Sequence, residues 1–195
     1  MQVIYFILVF IFFYILFNIV PKIPSNRAVS KGTDLILKKE YEKGLEYFGK
    51  GAMSKKAKDF TKIRYAFLEL KFGDIKKAKK VISGLLNSNM LKRGDRYEAK
   101  SVWALICFIE GDNEQCEEVC GELYKNYLNT DVYCTLGYIY NITKSPEEAV
   151  SFNLEAYDYN SDKPVIADNL GQAYYLNGDL EKAYELYEKT MGKKY

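Results

Sequence analysis

The chain has 195 residues, a formal net charge of +2, 48% hydrophobic residues, 18 tyrosines, 4 cysteines and no histidine. That length supports a hydrophobic core without disulfides, and the missing histidine removes the commonest general base and metal ligand. No phosphate-cradling glycine loop follows a strand, and no strand is expected, so the sequence points away from an enzyme and calls for no cofactor and no metal.

Residues 1–20 come first. Apart from Gln2 and Asn18 they are apolar, and residues 3–20 form an uncharged run of 18. At about 1.5 Å per residue the run spans roughly 27 Å, close to the hydrocarbon thickness of a bilayer. A cleaved signal peptide would have a basic start and a small-residue cleavage site; neither is present. Bulky apolar residues surround the whole helix and leave no polar face, which argues against a buried core helix. Residues 1–20 are therefore read as a transmembrane anchor and residues 21–24, Pro21-Lys22-Ile23-Pro24, as a linker. Lys22, Arg27, Lys31, Lys38 and Lys39 follow the span and no Lys or Arg precedes it. The positive-inside rule then predicts a single-pass membrane protein with residues 25–195 in the cytoplasm, where four unpaired thiols suit the reducing environment.

The small net charge conceals two opposed halves. Residues 22–96 hold 20 Lys and Arg against 8 Asp and Glu, net +12, whereas residues 97–195 hold 8 against 18, net −10. The basic half is expected to lie against anionic lipid headgroups, and the acidic half to attract a basic partner. The basic residues are mostly lysines with no base-reading motif, so nucleic acid is not expected as a partner.

From residue 25 a two-helix pattern recurs about every 34 residues. The copies place small residues at positions 8 and 20, a turn at 15 and, in all but the fourth, an apolar residue at 24. The first copy, residues 25–58, is degraded: Gly32, Gly44 and Phe48 fit, while Lys31 and Asp34 fit poorly. The second, 59–92, has Ala66, a Gly73-Asp74 turn, Ala78 and Ile82. Residues 93–96 read as a four-residue insertion. The third, 97–130, has Ala104, Gly111-Asp112, Cys116 and Cys120. The fourth, 130–163, has Leu136, Gly137, Tyr140 and Ala149, with Ser145 as N-cap and Pro146 in the first helical position. The fifth, 164–191, has Leu170, Gly171, Tyr174, Gly178-Asp179, Ala183 and Tyr187. Glycine accepts the positive φ that ends a helix, and aspartate caps the next one.

The fifth copy, P-V-I-A-D-N-L-G-Q-A-Y-Y-L-N-G-D-L-E-K-A-Y-E-L-Y-E-K-T, resembles a tetratricopeptide repeat, and the resemblance extends over about residues 25–190. It implies an all-α fold, an α-solenoid of about five helix-turn-helix repeats behind one N-terminal transmembrane helix, and a scaffold for other proteins. Members of the family bind extended peptides or helices on the concave surface lined by the first helix of each pair. Carried onto this chain, the lining positions are Phe60, Ile63, Phe67, Leu70 and Lys71 in the second copy, and Ser101, Leu105 and Phe108, beside Glu98 and Ile109, in the third. In the fourth and fifth they are Asp131, Tyr138 and Asn141, beside Cys134, and then Asp168, Gln172 and Tyr175. The early positions are mostly apolar and suit a hydrophobic or amphipathic segment; the later ones are polar and acidic. Val29 and Thr33 lack the cationic chemistry with which some members grip a terminal carboxylate. Only Gly192-Lys193-Lys194-Tyr195 follow the last helix, so Tyr187 and Met191 are expected to offer a face to a partner or to a second copy.

Cys116 and Cys120 lie four apart on one helical face, yet they occupy positions 20 and 24, where a small apolar residue belongs; core packing is preferred over a metal site. Asn141-Ile142-Thr143 matches a glycosylation sequon by chance. The expected function is a membrane-anchored scaffold or adaptor that recruits or organises proteins at the cytoplasmic face. The alternatives are a permanent structural subunit of a membrane complex, or the same module on the extracytoplasmic side.

Overall fold

The computed structural model describes residues 25–191; the expected anchor (1–20) and linker (21–24) lie outside the described residues. Among the described residues there are ten α-helices and no strand, and no helix is long and apolar enough to cross a membrane. The chain divides into two compact units, one ending at Gly73 and the other beginning at Asp74.

The first unit contains α1 (Ser25–Leu37), α2 (Tyr41–Ala52) and α3 (Asp59–Phe72). The two small positions expected in the degraded first copy are where α1 and α2 touch. A methyl group on Gly32 would stand 2.5 Å from the backbone nitrogen of Phe48, and one on Gly44 would stand 2.6 Å from the Ile36 side chain. Phe48 fills the space beside them, 1% exposed. Its ring lies 6.4 Å from that of Tyr65 on α3, while Tyr41 stacks on Phe72 at 4.3 Å. The Tyr65 hydroxyl donates to the buried carboxylate of Glu69 at 2.5 Å.

The second unit runs through α4 (Ile75–Leu86), α5 (Arg93–Glu110), α6 (Asn113–Asn126), α7 (Thr130–Thr143), α8 (Pro146–Tyr159), α9 (Pro164–Asn177) and α10 (Leu180–Met191). The expected turn signals operate here. Gly111 and Gly178 end α5 and α9 with φ of 77° and 86°, Asp74 and Asp112 accept from Lys76 N and Gln115 N, and Ser145 with Glu148 forms a reciprocal capping box. Lys144 stands at the turn position of the fourth copy but is extended, with φ −107°. Phe152 on α8 gathers the aromatic core, with Tyr140 at 4.7 Å and Tyr133 at 5.6 Å between ring centres.

One boundary differs from the sequence reading. The four extra residues 93–96 are helical and form the first turn of α5, which is 18 residues long. Arg96 explains the extension. Its guanidinium donates to Leu86 O at 2.9 Å, a carbonyl that the end of α4 would leave open, and to Ser88 O at 2.8 Å in the turn that follows. Tyr97 then stacks on Tyr127 at 4.7 Å.

The turn between α1 and α2 carries Lys39 at φ 64°, at the position where other copies place glycine. A left-handed conformation costs a residue with a Cβ roughly 1–2 kcal/mol, part of which glycine's larger unfolded-state entropy offsets. Lys39→Gly is therefore expected to raise stability by about 0.5–1 kcal/mol in chemical or thermal denaturation. Lys38, whose φ is not positive, should gain nothing from the same change.

Candidate functional site

The lining residues named from the repeat register fall in both units. In the first unit, Phe60 and Phe67 stand on α3 two turns apart and exposed, with Leu70 half-buried and Lys71 exposed beyond them. The Arg64 guanidinium sits 5.8 Å from the Phe60 ring. Ile63 is buried at 4% exposure and belongs to the packing, not to the surface.

In the second unit α7 packs between α5 and α9, the three first-of-pair helices lying side by side. Residue positions that point away from the paired helices form an apolar strip. Leu105, Phe108 and Ile109 contribute from α5, Tyr138 from α7 and Tyr175 from α9, with Ile109 at 55% and Tyr175 at 63% exposure. Phe108 and Tyr138 meet edge to face at 5.9 Å, a geometry aromatic pairs favour. Ile142, Val165 and Leu176 extend the strip and are exposed; they occupy the register positions of Ile109 and Glu98 in later copies, so the register could have found them.

Besides Ile63, two expected surface residues are interior. Ser101 is buried and donates to Thr135 Oγ1 at 3.0 Å, tying α5 to α7. Asn141, 6% exposed, joins a buried amide network. Asn153 Nδ2 donates to Asn141 Oδ1 at 2.8 Å, Asn141 Nδ2 to Asn169 O at 2.8 Å, and Asn169 Nδ2 to Cys134 O at 2.9 Å. Gln172 also accepts from Asn141 at 3.3 Å, so its amide faces the network as much as the solvent. Low dielectric makes such bonds expensive to break, and Asn141 is held by α8 and α9 rather than offered to a ligand.

The N-terminal ends of the same helices are acidic. Asp131 is exposed and 3.5 Å from Lys163; Asp168 is exposed on α9. Glu98 is half-buried and accepts from Asn129 Nδ2 at 2.7 Å. Burial pushes its carboxyl above the usual carboxylate range against the opposing Asn129 hydrogen bond, and the charge of Asp131 adds to the rise.

The remaining features named from sequence lie elsewhere. Tyr187 is half-buried, its ring set so closely on Gly171 that a methyl there would stand 2.7 Å from it. Its ring serves the α9–α10 contact first. The side chain of Met191 lies outside the described residues. Cys116 and Cys120 are buried with sulfurs 4.0 Å apart, and Cys116 Sγ donates to Ala104 O. No group of three or more metal-ligating side chains occurs among the described residues.

No family model matches the chain, and no curated protein does. Solved structures do match. The thermophilic TPR protein TTC0263 of Thermus thermophilus superposes with a TM-score of 0.71 at 18% identity, over 86% of this chain and 90% of that one. A tetratricopeptide repeat protein of Parabacteroides merdae gives 0.64 at 13% identity, over 93% and 70%. PilF of Pseudomonas aeruginosa gives 0.60 at 13%, over 88% and 77%. At these identities the likeness is one of fold, and the fold is that of tetratricopeptide proteins.

The thiols are held protonated by burial, Cys107 and Cys134 up to about 11. At pH 8 a thiol of that pKa has roughly a thousandth of its population as thiolate. Iodoacetamide should therefore label Cys107 and Cys134 about two orders of magnitude more slowly in the folded chain than in urea. The folded pKa lies above the ordinary value of 9.0, so stability should be intact below pH 9 and fall as pH rises towards 11. Cys107 should contribute at most about 2 kcal/mol of that fall, so Cys107→Ala should reduce it while Cys134 keeps its own share.

Proposed function

We propose that this chain is a membrane-anchored scaffold on the tetratricopeptide fold, holding a segment of another protein against its first-of-pair helices and organising that protein at the cytoplasmic membrane face. The observation that carries this reading is the apolar strip formed by the exposed Ile109, Tyr138 and Tyr175 around the half-buried Phe108 on three neighbouring helices. Contiguous exposed apolar surface on a folded domain marks an interaction site, and a repeat array offers it as an extended platform. Asp131 and Asp168 beside the strip favour a partner segment with basic residues.

Anchoring is supported by the uncharged run of residues 3–20, and orientation by the lysines and arginine just after it. The basic character of residues 22–96 adds attraction to anionic headgroups. A second reading, a permanent subunit of a membrane complex, is favoured by Leu180 and Tyr184, both exposed on α10 at 59% and 63%.

The test uses the full chain, tagged at its C-terminus and expressed in its own cells. The tag is expected in the membrane fraction, protected from added protease until lysis, and associated with a partner that Tyr138→Asp and Tyr175→Asp each reduce at least fivefold. A tag cut before lysis contradicts the orientation. A partner retained by both variants but lost in Tyr184→Lys supports the permanent-subunit reading instead.

A further inference from the structure

A cavity of about 510 Å³ opens among the C-terminal ends of α5 and α7 and the first half of α6. Phe108 and Ile142 belong both to this cavity and to the apolar strip. Its volume is in the range of sites that enclose a compact ligand or a large side chain. Phe108, Ile139, Ile142 and the ring of Tyr140 supply apolar walls, and Cys116 and Cys120 lie beside them. The Tyr140 hydroxyl has no hydrogen-bond partner among the described residues, although its ring is packed against Phe152.

Gly121 is the second observation. It lines the cavity from within α6, a helix interior where glycine weakens the helix. Its φ is not positive, and a methyl group placed on it would meet nothing within 4 Å. Neither backbone conformation nor packing accounts for glycine at this position. Gly121 lines the cavity, so a long side chain placed there would compete with an occupant for the same space.

Charge selects the occupant. Lys144 at the rim is already paired with Glu117 at 2.7 Å. Glu114 and Glu118 lie on the same stretch of α6, and Glu147 and Glu148 open α8 immediately after Lys144. Of these carboxylates Glu117 lines the cavity and Glu148 is engaged in the capping box; with Lys144 paired to Glu117 and residues 97–195 at net −10, the surroundings disfavour an anion and favour a cation next to the apolar group. We propose that this cavity is an anchor site that takes a bulky apolar side chain flanked by Lys or Arg from a partner protein. The inference rests on the scaffold reading for the source of that segment, and adds a pocketed anchor of the kind that carries much of the affinity at protein interfaces.

The probe is the peptide acetyl-Ser-Lys-Phe-Lys-Ser-amide with a 4-fluoro label on its ring, titrated into the full chain in detergent micelles and followed by 19F NMR. The wild type and a Gly84→Ala control, whose glycine is likewise unhindered but outside the cavity, should bind it saturably with a Kd on the order of 1 mM. Gly121→Leu should weaken binding at least tenfold while raising the thermal midpoint by about 2 °C, which separates a filled cavity from an unfolded chain. A peptide with Glu in place of both Lys should bind at least fivefold more weakly. Unchanged binding by Gly121→Leu, or no saturable signal with the wild type, overturns the proposal. Loss in Tyr175→Asp with Gly121→Leu intact places the peptide on the apolar strip and also overturns it. Binding intact in Tyr175→Asp and lost in Gly121→Leu upholds the cavity even if the strip takes no partner.

Discussion

How closely two antiparallel helices can approach at one small residue decides everything else in each unit. Gly32 faces Phe48, Gly137 faces Asn153 and Gly171 faces Tyr187, and in each case a single added methyl would collide with the opposing helix. Ala104 and Ala66, at the same position of their copies, have no exposed surface at all. Overpacking by a methylene typically costs about 1–3 kcal/mol, so these positions set the spacing of the pair. Once the pair is closed, the outward positions of its first helix are fixed by the roughly 3.6-residue turn. The surface that can meet a partner follows from the contact that hides the glycine.

A second constraint is polar. The Asn141–Asn153–Asn169 network ties α7, α8 and α9 through buried amides. Asn153 Oδ1 has no partner of its own and lies against Gly137. A buried amide that must be satisfied discriminates between registers more sharply than apolar contacts do. In this region it keeps Tyr138 and Tyr175 outward on adjacent helices by holding Asn141 inward.

Much of this was legible in the sequence, because the small positions recur with the helix-pair period and tolerate nothing larger. Even the degraded first copy kept Gly32 and Gly44 where α1 and α2 touch. The turn glycines Gly111 and Gly178 and the Ser145 capping box were readable for the same reason, since each solves a local backbone problem. What failed to show was set by tertiary contact. The stretch Arg93-Gly94-Asp95-Arg96 has the composition of a loop, and becomes helix because Arg96 reaches back to the carbonyls of α4. Asn141 and Ser101 are polar at positions that face a ligand in related arrays, and only their partners across the helix interface reveal that they are inside. The cavity left no trace in the sequence beyond an unexplained glycine at residue 121.

The reading that the first-of-pair helices, and not their outer partners, hold the bound protein is tested most directly by site-specific photocrosslinking in cells. A photoreactive phenylalanine at Tyr138 or Tyr175 should capture a discrete partner, and the same group at Ser151 or Leu154 on α8, both exposed, should not. Capture from α8 alone, or equally from both sets of positions, would contradict the account.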